Sequence, residues 1–162
     1  MKVSIVMGSD SDWPILKPAY ELLKNFGIEA EVVVASAHRT PGKVKDLVTT
    51  AQERGVGAFI SAAGAAAHLG GVIASYTTLP VIGVPINATS LNGMDALLST
   101  VQMPSGIPVA TMAVNGAKNA AIFAAEIFAL SDKELAAKLK EYRSKMVEEV
   151  EKKAAHVEQQ LG

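Results

Sequence analysis

Short apolar segments alternate with longer amphipathic segments along this chain of 162 residues. Apolar runs of about six residues, rich in valine, isoleucine and alanine, predict buried strands. The predicted strands are 2–7, 29–35, 56–62, 80–84 and 109–114. Because strands that alternate with helices form parallel sheets covered on both faces, we predict an α/β fold. The expected architecture is a three-layer, doubly wound, parallel five-stranded sheet of the flavodoxin-like or Rossmann-like kind.

Start and stop signals predict a helix after each strand. The predicted helices are 13–25, 41–54, 72–77, 93–101, 118–128 and 131–160. Asp12 is the N-cap candidate of the first helix, and Thr40-Pro41 starts the second. Pro18 conflicts with the first helix, because an interior proline removes a backbone hydrogen bond. We therefore expect that helix to begin later or to bend.

The last helix is longer than one small domain requires. Ser131 and Glu134 form a capping box, and a helix of about 30 residues spans about 45 Å. Its apolar stripe comprises Leu135, Leu139, Tyr142, Met146, Val150, Val157 and Leu161. We expect residues 1–162 to form a single domain whose helix 131–162 packs partly on neighbouring subunits of a homo-oligomer. A frayed end beyond residue 152 is the alternative.

Composition narrows the classes of function. The formal net charge is −1, and 49% of the residues are hydrophobic. This balance is not typical of nucleic-acid or polybasic membrane binding. The chain has no cysteine, so thiolate chemistry and disulfides are excluded. It has neither a signal-peptide pattern nor an apolar run of membrane-spanning length. We therefore expect a cytoplasmic protein with no nucleic-acid or membrane partner.

The loop after the first strand offers a phosphate site. It reads Gly8-Ser9-Asp10-Ser11-Asp12, with two hydroxyls ahead of a helix start whose free N–H groups attract anions. It matches neither a Walker loop nor a dinucleotide loop. Ser9 and Ser11 suit phosphate, whereas a carboxylate such as Asp12 suits ribose hydroxyls. The alternative is that these residues only cap the helix.

The loop after the second strand supplies a cation and a titratable group. His38 and Arg39 lie between Ser36 and the helix start at Thr40-Pro41. A guanidinium binds phosphate in a bidentate manner, and an imidazole ordinarily titrates near pH ~6.5. We therefore expect His38 to act in proton transfer and Arg39 in ligand binding. A purely structural histidine is the alternative.

The loop after the third strand consists almost entirely of small residues. Residues 61–71 read Ser-Ala-Ala-Gly-Ala-Ala-Ala-His-Leu-Gly-Gly, so the backbone can approach a flat ligand closely. His68 either contacts that ligand or packs beneath the loop. The loops 85–92 and 102–108 are predicted to form walls or a lid. Three scattered histidines without cysteines do not support a metal site.

Several motifs in order give the chain a family resemblance. They are Val6–Trp13, Ser36–Pro41, Ala66–Leu69, Leu79–Pro85 and Val101–Ala110. Together they resemble the bacterial N5-carboxyaminoimidazole ribonucleotide mutases of purine biosynthesis, the class I branch of the AIR carboxylase family. The resemblance extends from about residue 2 to residue 145.

The resemblance implies an isomerase that needs neither metal nor cofactor. It would move the carboxylate of N5-carboxyaminoimidazole ribonucleotide from the exocyclic nitrogen to ring carbon C4, on the route to IMP. His38 corresponds to the family's proton shuttle, and the family's enzymes are homo-octamers. The resemblance and the loop analysis together predict the substrate-binding residues Ser9, Ser11, Asp12, Ser36, Arg39, Gly64, Ala66, His68 and Leu69.

The third loop departs from the family pattern at three positions. Ala62 and Ala65 stand where the family has glycine, and Gly70 stands where it has proline. An alanine with positive φ costs about 1 kcal/mol or more. We therefore expect strain if either position is left-handed, and a looser segment after His68.

Three rival functions are distinguishable. The related carboxylase joins CO2 directly to aminoimidazole ribonucleotide, but that branch has lysine at the position of Arg39 and lacks the Ala-Ala-His-Leu loop. A response-regulator receiver needs an aspartate after the third strand, where this chain has Ser61 to Gly64. A flavin carrier needs aromatic residues in the crevice loops, and these loops have none.

Overall fold

The computed structural model describes residues 1–161 and contains a parallel sheet with the strand order β2-β1-β3-β4-β5. The strands are β1 Lys2–Met7, β2 Glu29–Val34, β3 Val56–Gly64, β4 Val81–Ile86 and β5 Ala110–Thr111. Every pairing is parallel. This is the flavodoxin-like order, and the predicted doubly wound α/β fold is confirmed.

Helices follow every strand, as predicted. They are α1 Trp13–Phe26, α2 Pro41–Thr49, α3 Leu69–Tyr76, α4 Met94–Val101, α5 Ala117–Ala129 and α6 Lys133–Gln160, with a 3-10 turn at Asp10–Asp12. Two compact units are recognisable, one from Met1 to Ala124 and the other from Ala125 onward. The whole sheet lies in the first unit.

Helix α1 begins at Trp13, as predicted, although Pro18 lies in its interior, so the alternative of a later start is wrong. The proline ring removes only the hydrogen bond to the Pro14 carbonyl. The predicted end of the second helix is wrong. Helix α2 ends at Thr49 instead of residue 54. Thr50 is the C-cap, and both its backbone N–H and its hydroxyl donate to the Asp46 carbonyl, at 3.2 and 2.7 Å. Residues 50–55 continue as turns that end at Gly55, which has φ +76°.

The last helix and the last strand also differ from their predicted bounds. Asp132, not Ser131, caps α6, since its carboxylate accepts from the Leu135 backbone N–H at 3.0 Å. Strand β5 is only two residues long, because its ladder with β4 is limited to Ala110 and Thr111.

Alternate side chains of the central strands are buried on opposite faces of the sheet. On one face, Val6 and Phe59 pack with residues of α2 and α3, such as Val44 and Ile73, in a continuous apolar cluster. On the other face, β1 contributes Val3, Ile5 and Met7, which are all at most 1% exposed. Both faces of the sheet are therefore covered, and its carboxyl edge is left for the loops. Within residues 1–161, no helix has the length and hydropathy needed to cross a bilayer.

Candidate functional site

A pocket of about 400 Å³ opens at the carboxyl ends of the central strands. The order β2-β1-β3 brings the loops after these three strands together, and ligands of doubly wound folds bind at this switch point. Every site residue predicted from the sequence lies in its wall. The pocket is lined by Gly8, Ser9, Ser11, Asp12, Ser36, Ala37, His38, Arg39, Ala63, Gly64, Ala65, Ala66, His68, Leu69 and Ala88.

The first loop presents its hydroxyls through a tight 3-10 turn. The Ser9 hydroxyl caps this turn by accepting from the Ser11 backbone N–H at 3.3 Å. The Ser11 hydroxyl donates to the Ser9 oxygen at 2.9 Å, and Ser9 donates to Asp10 at 3.2 Å. The two serines therefore form one cluster of hydroxyls at the pocket wall, ahead of α1.

Asp12 is the buried acid of the site. It is 6% exposed, and its side chain makes no capping hydrogen bond to α1, which contradicts the simple helix-cap alternative for this residue. Burial raises the pKa of the Asp12 carboxyl, against the lowering effect of hydrogen bonds from the Ser9 backbone and the Ser11 side chain; repulsion by Asp10 raises it further. A buried carboxylate that faces a pocket is suited to accept hydrogen bonds from ligand hydroxyls.

The second loop is a hydrogen-bonded turn that projects two side chains. The Ser36 backbone N–H donates to the Thr40 hydroxyl at 2.9 Å, and the Arg39 N–H donates to the Ser36 hydroxyl at 3.2 Å. The guanidinium of Arg39 donates to the Gly8 carbonyl at 3.1 Å, and so bridges the first two loops. Its remaining N–H donors are available on the same wall as the serine hydroxyls.

Two imidazoles meet between the second and third loops. His38 Nε2 lies 2.9 Å from His68 Nδ1, and the two rings cross at 80° with their centroids 5.0 Å apart. In this hydrogen bond one of the two nitrogens donates its proton and the other accepts it. Both residues are exposed, so a ligand can reach them. His68 therefore does not pack beneath its loop.

The backbone of the third loop lies close to the loop after β4 at Gly64. A Cβ at Gly64 would lie 2.6 Å from the Ala88 Cβ, so only glycine fits there. Ala65 adopts φ +54°, whereas Ala62 is an ordinary, fully buried strand residue. Of the two alanines that replace the family's glycines, only Ala65 is strained.

Gly70 stands in a confined place. It lies in the first turn of α3, and an added Cβ would approach the Ser61 hydroxyl oxygen to 2.8 Å. Helix α3 begins directly after His68, so the segment after this histidine is helical. A larger side chain at position 70 would be too close to Ser61. The loosening by Gly70 stays a prediction.

The arrangement has a polar end and a proton-transfer end. Ser9, Ser11 and Arg39 can bind an anion, while His38 and His68 can exchange a proton with a ligand. Ala88, from the loop after β4, was not singled out in the sequence, because a lone alanine carries no chemical signal. In the described part of the chain, no group of three or more histidine, aspartate or glutamate side chains is arranged to hold a metal ion.

Comparison with known proteins agrees with this architecture. The fold and pocket define an α/β protein with a polar ligand site at the switch point of its sheet. Residues 2–149 match the AIR carboxylase family, and the chain belongs to that family. It is similar to the N5-carboxyaminoimidazole ribonucleotide mutase of Thermotoga maritima, with 52% identity over 98% of this chain and 92% of the relative.

Two further proteins extend the comparison. The mutase of the same name from Methanocaldococcus jannaschii is 55% identical over 91% of this chain and 92% of the relative. A crystal structure of Treponema denticola PurE superimposes with a TM-score of 0.83 at 33% identity, over 93% of this chain and 94% of that one.

The strained alanine leads to a stability prediction. Ala65→Gly should raise the free energy of unfolding by about 0.5–1 kcal/mol, because glycine adopts positive φ without a steric penalty. Ala62→Gly is the matched control and should lower it by about 1 kcal/mol, because Ala62 is a buried strand residue. Denaturant titration measures both, and equal effects of the two changes would contradict the assignment of strain.

The burial of Asp12 leads to a pH prediction. Its pKa is raised above the usual 3.8, so the folded state binds the proton more tightly than the unfolded state. Stability from this group is therefore full below pH 3.8 and lost as pH rises through the folded pKa.

Asp12→Asn should accordingly melt higher than the wild type at pH 7, with an advantage that shrinks as the pH falls toward 3.8. Thermal unfolding over this range measures the difference, with Asp46→Asn as the control, because Asp46 is exposed and does not contribute to the pKa shift of Asp12. An advantage that grew on acidification would contradict the burial argument.

Proposed function

We propose that this protein is an isomerase of purine biosynthesis. It moves the carboxylate of N5-carboxyaminoimidazole ribonucleotide from the exocyclic nitrogen to C4 of the ring, giving 4-carboxy-5-aminoimidazole ribonucleotide. Family membership over residues 2–149 and the mutase relatives at about half identity support this reaction. The pocket geometry supports the roles of the residues.

The observation that carries the proposal is the contact of 2.9 Å between His38 Nε2 and His68 Nδ1 inside the pocket. Carboxyl transfer needs an acid/base group that works near neutral pH, and imidazole fulfils this requirement. His38 is the general acid/base. His68 is its hydrogen-bonding partner beside the migrating carboxylate.

One imidazole suffices for the whole reaction, because the number of protons that it gives equals the number that it takes up. When the N–C bond to the carboxylate breaks, CO2 leaves and the exocyclic nitrogen gains a proton. When C4 attacks the CO2, a new C–C bond forms and C4 loses a proton. His38 supplies the first proton and removes the second, so it ends in its starting state. The pocket must hold CO2 between these steps, and small loop residues such as Ala63 and Ala66 form a close-fitting wall.

The opposite end of the pocket anchors the nucleotide. Ser9, Ser11 and Arg39 bind the phosphate, because hydroxyls and a guanidinium are its preferred donors. Ser36 supports Arg39 from within the second loop. Asp12 accepts from the ribose hydroxyls. Binding energy from this distant group positions the ring against His38.

The backbone of the third loop lies against the flat heterocycle. Gly64, Ala66 and Leu69, the first residue of α3, line the pocket. Their lack of bulk allows the ring and the transferred CO2 to fit between the second and third loops.

The direct carboxylase is the competing reaction. The curated relatives are mutases, and Arg39 occupies the position where the carboxylase branch has lysine. Purified protein is offered N5-carboxyaminoimidazole ribonucleotide in one assay, and aminoimidazole ribonucleotide with CO2 in another. Turnover of the first compound is expected. Turnover of only the second pair would reverse the assignment.

His38→Asn should lower kcat by about 10²- to 10⁴-fold and leave nucleotide affinity nearly unchanged, because it removes the proton carrier but not the phosphate site. His156→Asn is the matched control, since His156 lies on α6, outside the pocket, and its ring contacts Gln160 at 3.1 Å. Steady-state kinetics and isothermal titration with the nucleotide measure the two effects. A kcat for His38→Asn within about tenfold of the wild type would refute the proton-shuttle role.

We further propose that the protein forms a homo-oligomer, specifically an octamer. Apolar side chains recur every three or four residues on the exposed face of α4 and the loop before it. They are Leu91, Met94, Leu98 and Val101, which are 47–61% exposed. On α6, Met146, Val150 and Val157 are at least half exposed and share one face. Contiguous exposed apolar faces are typical of subunit contacts.

Val150→Glu should therefore lower the assembly state, because it puts a charge in the centre of this apolar face of α6. Deleting residues 146–162 should do the same. Lys152→Glu, which changes a charge on the opposite side of the helix, is the control. Sedimentation velocity measures the assembly, and an unchanged octamer in both altered proteins would exclude α6 as an interface.

The proposed location is the cytoplasm. A phosphorylated biosynthetic intermediate, which the proposed reaction consumes, is made and retained inside the cell. Fractionation of cells that express the chain tests this assignment, and recovery with an extracellular or membrane fraction would contradict it.

A further inference from the structure

A serine outside the pocket holds the third loop in place. The Ser99 hydroxyl, on α4, accepts a hydrogen bond from the Ala67 backbone N–H at 2.9 Å. The same oxygen lies 3.3 Å from the Ala65 carbonyl and 2.7 Å from the Asp95 carbonyl, to which it donates. One hydroxyl thus ties the start of α4 to the residue that precedes His68.

The loop needs such an anchor because its own backbone is strained. Ala65 has φ +54°, a conformation that alanine disfavours. Two residues on, Ala67 is 2% exposed, so its N–H must find a partner inside the protein. Ser99 provides that partner, and the next residue is His68, whose ring contacts His38.

The anchor is itself fixed. The Asp95 carboxylate accepts from the Thr89 hydroxyl at 2.8 Å and from the Ala96 backbone N–H at 2.9 Å. Thr89 follows Ala88, which lines the pocket. The first turn of α4 is therefore bonded to the loop after β4, and Ser99, further along α4, bonds to the third loop.

We propose that Ser99 is a positioning residue for the carboxyl transfer. This inference rests on the proposed function. Its hydroxyl holds the left-handed turn at Ala65 and so places the His68 ring against His38. Ser99 does not touch the pocket, and it acts through the loop.

The primary test compares Ser99→Ala with Thr100→Val. Thr100 is the matched control, because its hydroxyl also donates to a helix carbonyl, that of Ala96 at 2.7 Å, but does not reach the loop. Ser99→Ala should lower kcat by about five- to tenfold, the effect of losing one hydrogen bond, and change KM by less than about twofold. Thr100→Val should leave both constants near the wild-type values.

A second measurement needs no substrate. With only three histidines, the ring ¹⁵N resonances of labelled protein resolve His38, His68 and His156 separately. Ser99→Ala should shift the signals of His38 and His68, because their hydrogen bond loosens, and should leave that of His156 unchanged. Thr100→Val should shift none of them.

A double-mutant cycle that combines Ser99→Ala with Ala65→Gly tests whether Ser99 acts through the left-handed turn at Ala65. Glycine adopts the left-handed turn unaided, so the kcat loss and the resonance shifts caused by Ser99→Ala should be smaller in the Ala65→Gly background. This double variant also serves if Ser99→Ala alone proves too unstable to study.

Unchanged His38 and His68 resonances in Ser99→Ala would overturn the proposal, as would equal effects of Ser99→Ala and Thr100→Val. Absence of mutase turnover in the wild type would instead count against the proposed function. In that case the resonances would still decide whether Ser99 positions His68.

Discussion

The strand order β2-β1-β3 is the constraint on which the site depends. Because β1 lies between β2 and β3, the loops after all three strands meet at one edge of the sheet. Ser9 and Ser11 come from the first loop, His38 and Arg39 from the second and His68 from the third, so no single loop contains the whole site. Arg39 and the imidazole pair then join neighbouring loops directly, through contacts of 3.1 Å and 2.9 Å.

The site is built at the expense of local stability. Asp12 is buried as an acid, and Ala65 is held in a left-handed turn. Each feature is unfavourable for folding, yet each belongs to the pocket wall. The well-packed sheet beneath, with Phe59 and Ile60 fully buried, supplies the rigidity that keeps them in place.

Much of this architecture could be predicted from local sequence signals. Apolar runs mark the five strands, and polar or small-residue segments after them mark the pocket. Boundaries that depend on side-chain competition could not be predicted. Asp132 caps α6 instead of Ser131, because the Asp132 carboxylate accepts a hydrogen bond from the Leu135 backbone N–H. The third loop shows the same limit, since the sequence does not reveal that Ala65, and not Ala62, is left-handed.

The contact of Ser99 with the third loop could not be predicted from the sequence. A serine inside a helix commonly donates to a carbonyl one turn back, and this pattern alone suggests nothing functional. Its second bond, to Ala67, joins residues 32 positions apart and exists only because α4 packs beside the third loop. Helix α4 thus acts as a second layer behind the histidines. The same short helix also carries the exposed apolar side chains Leu98 and Val101, so its residues serve the third loop on one side and form apolar surface on another.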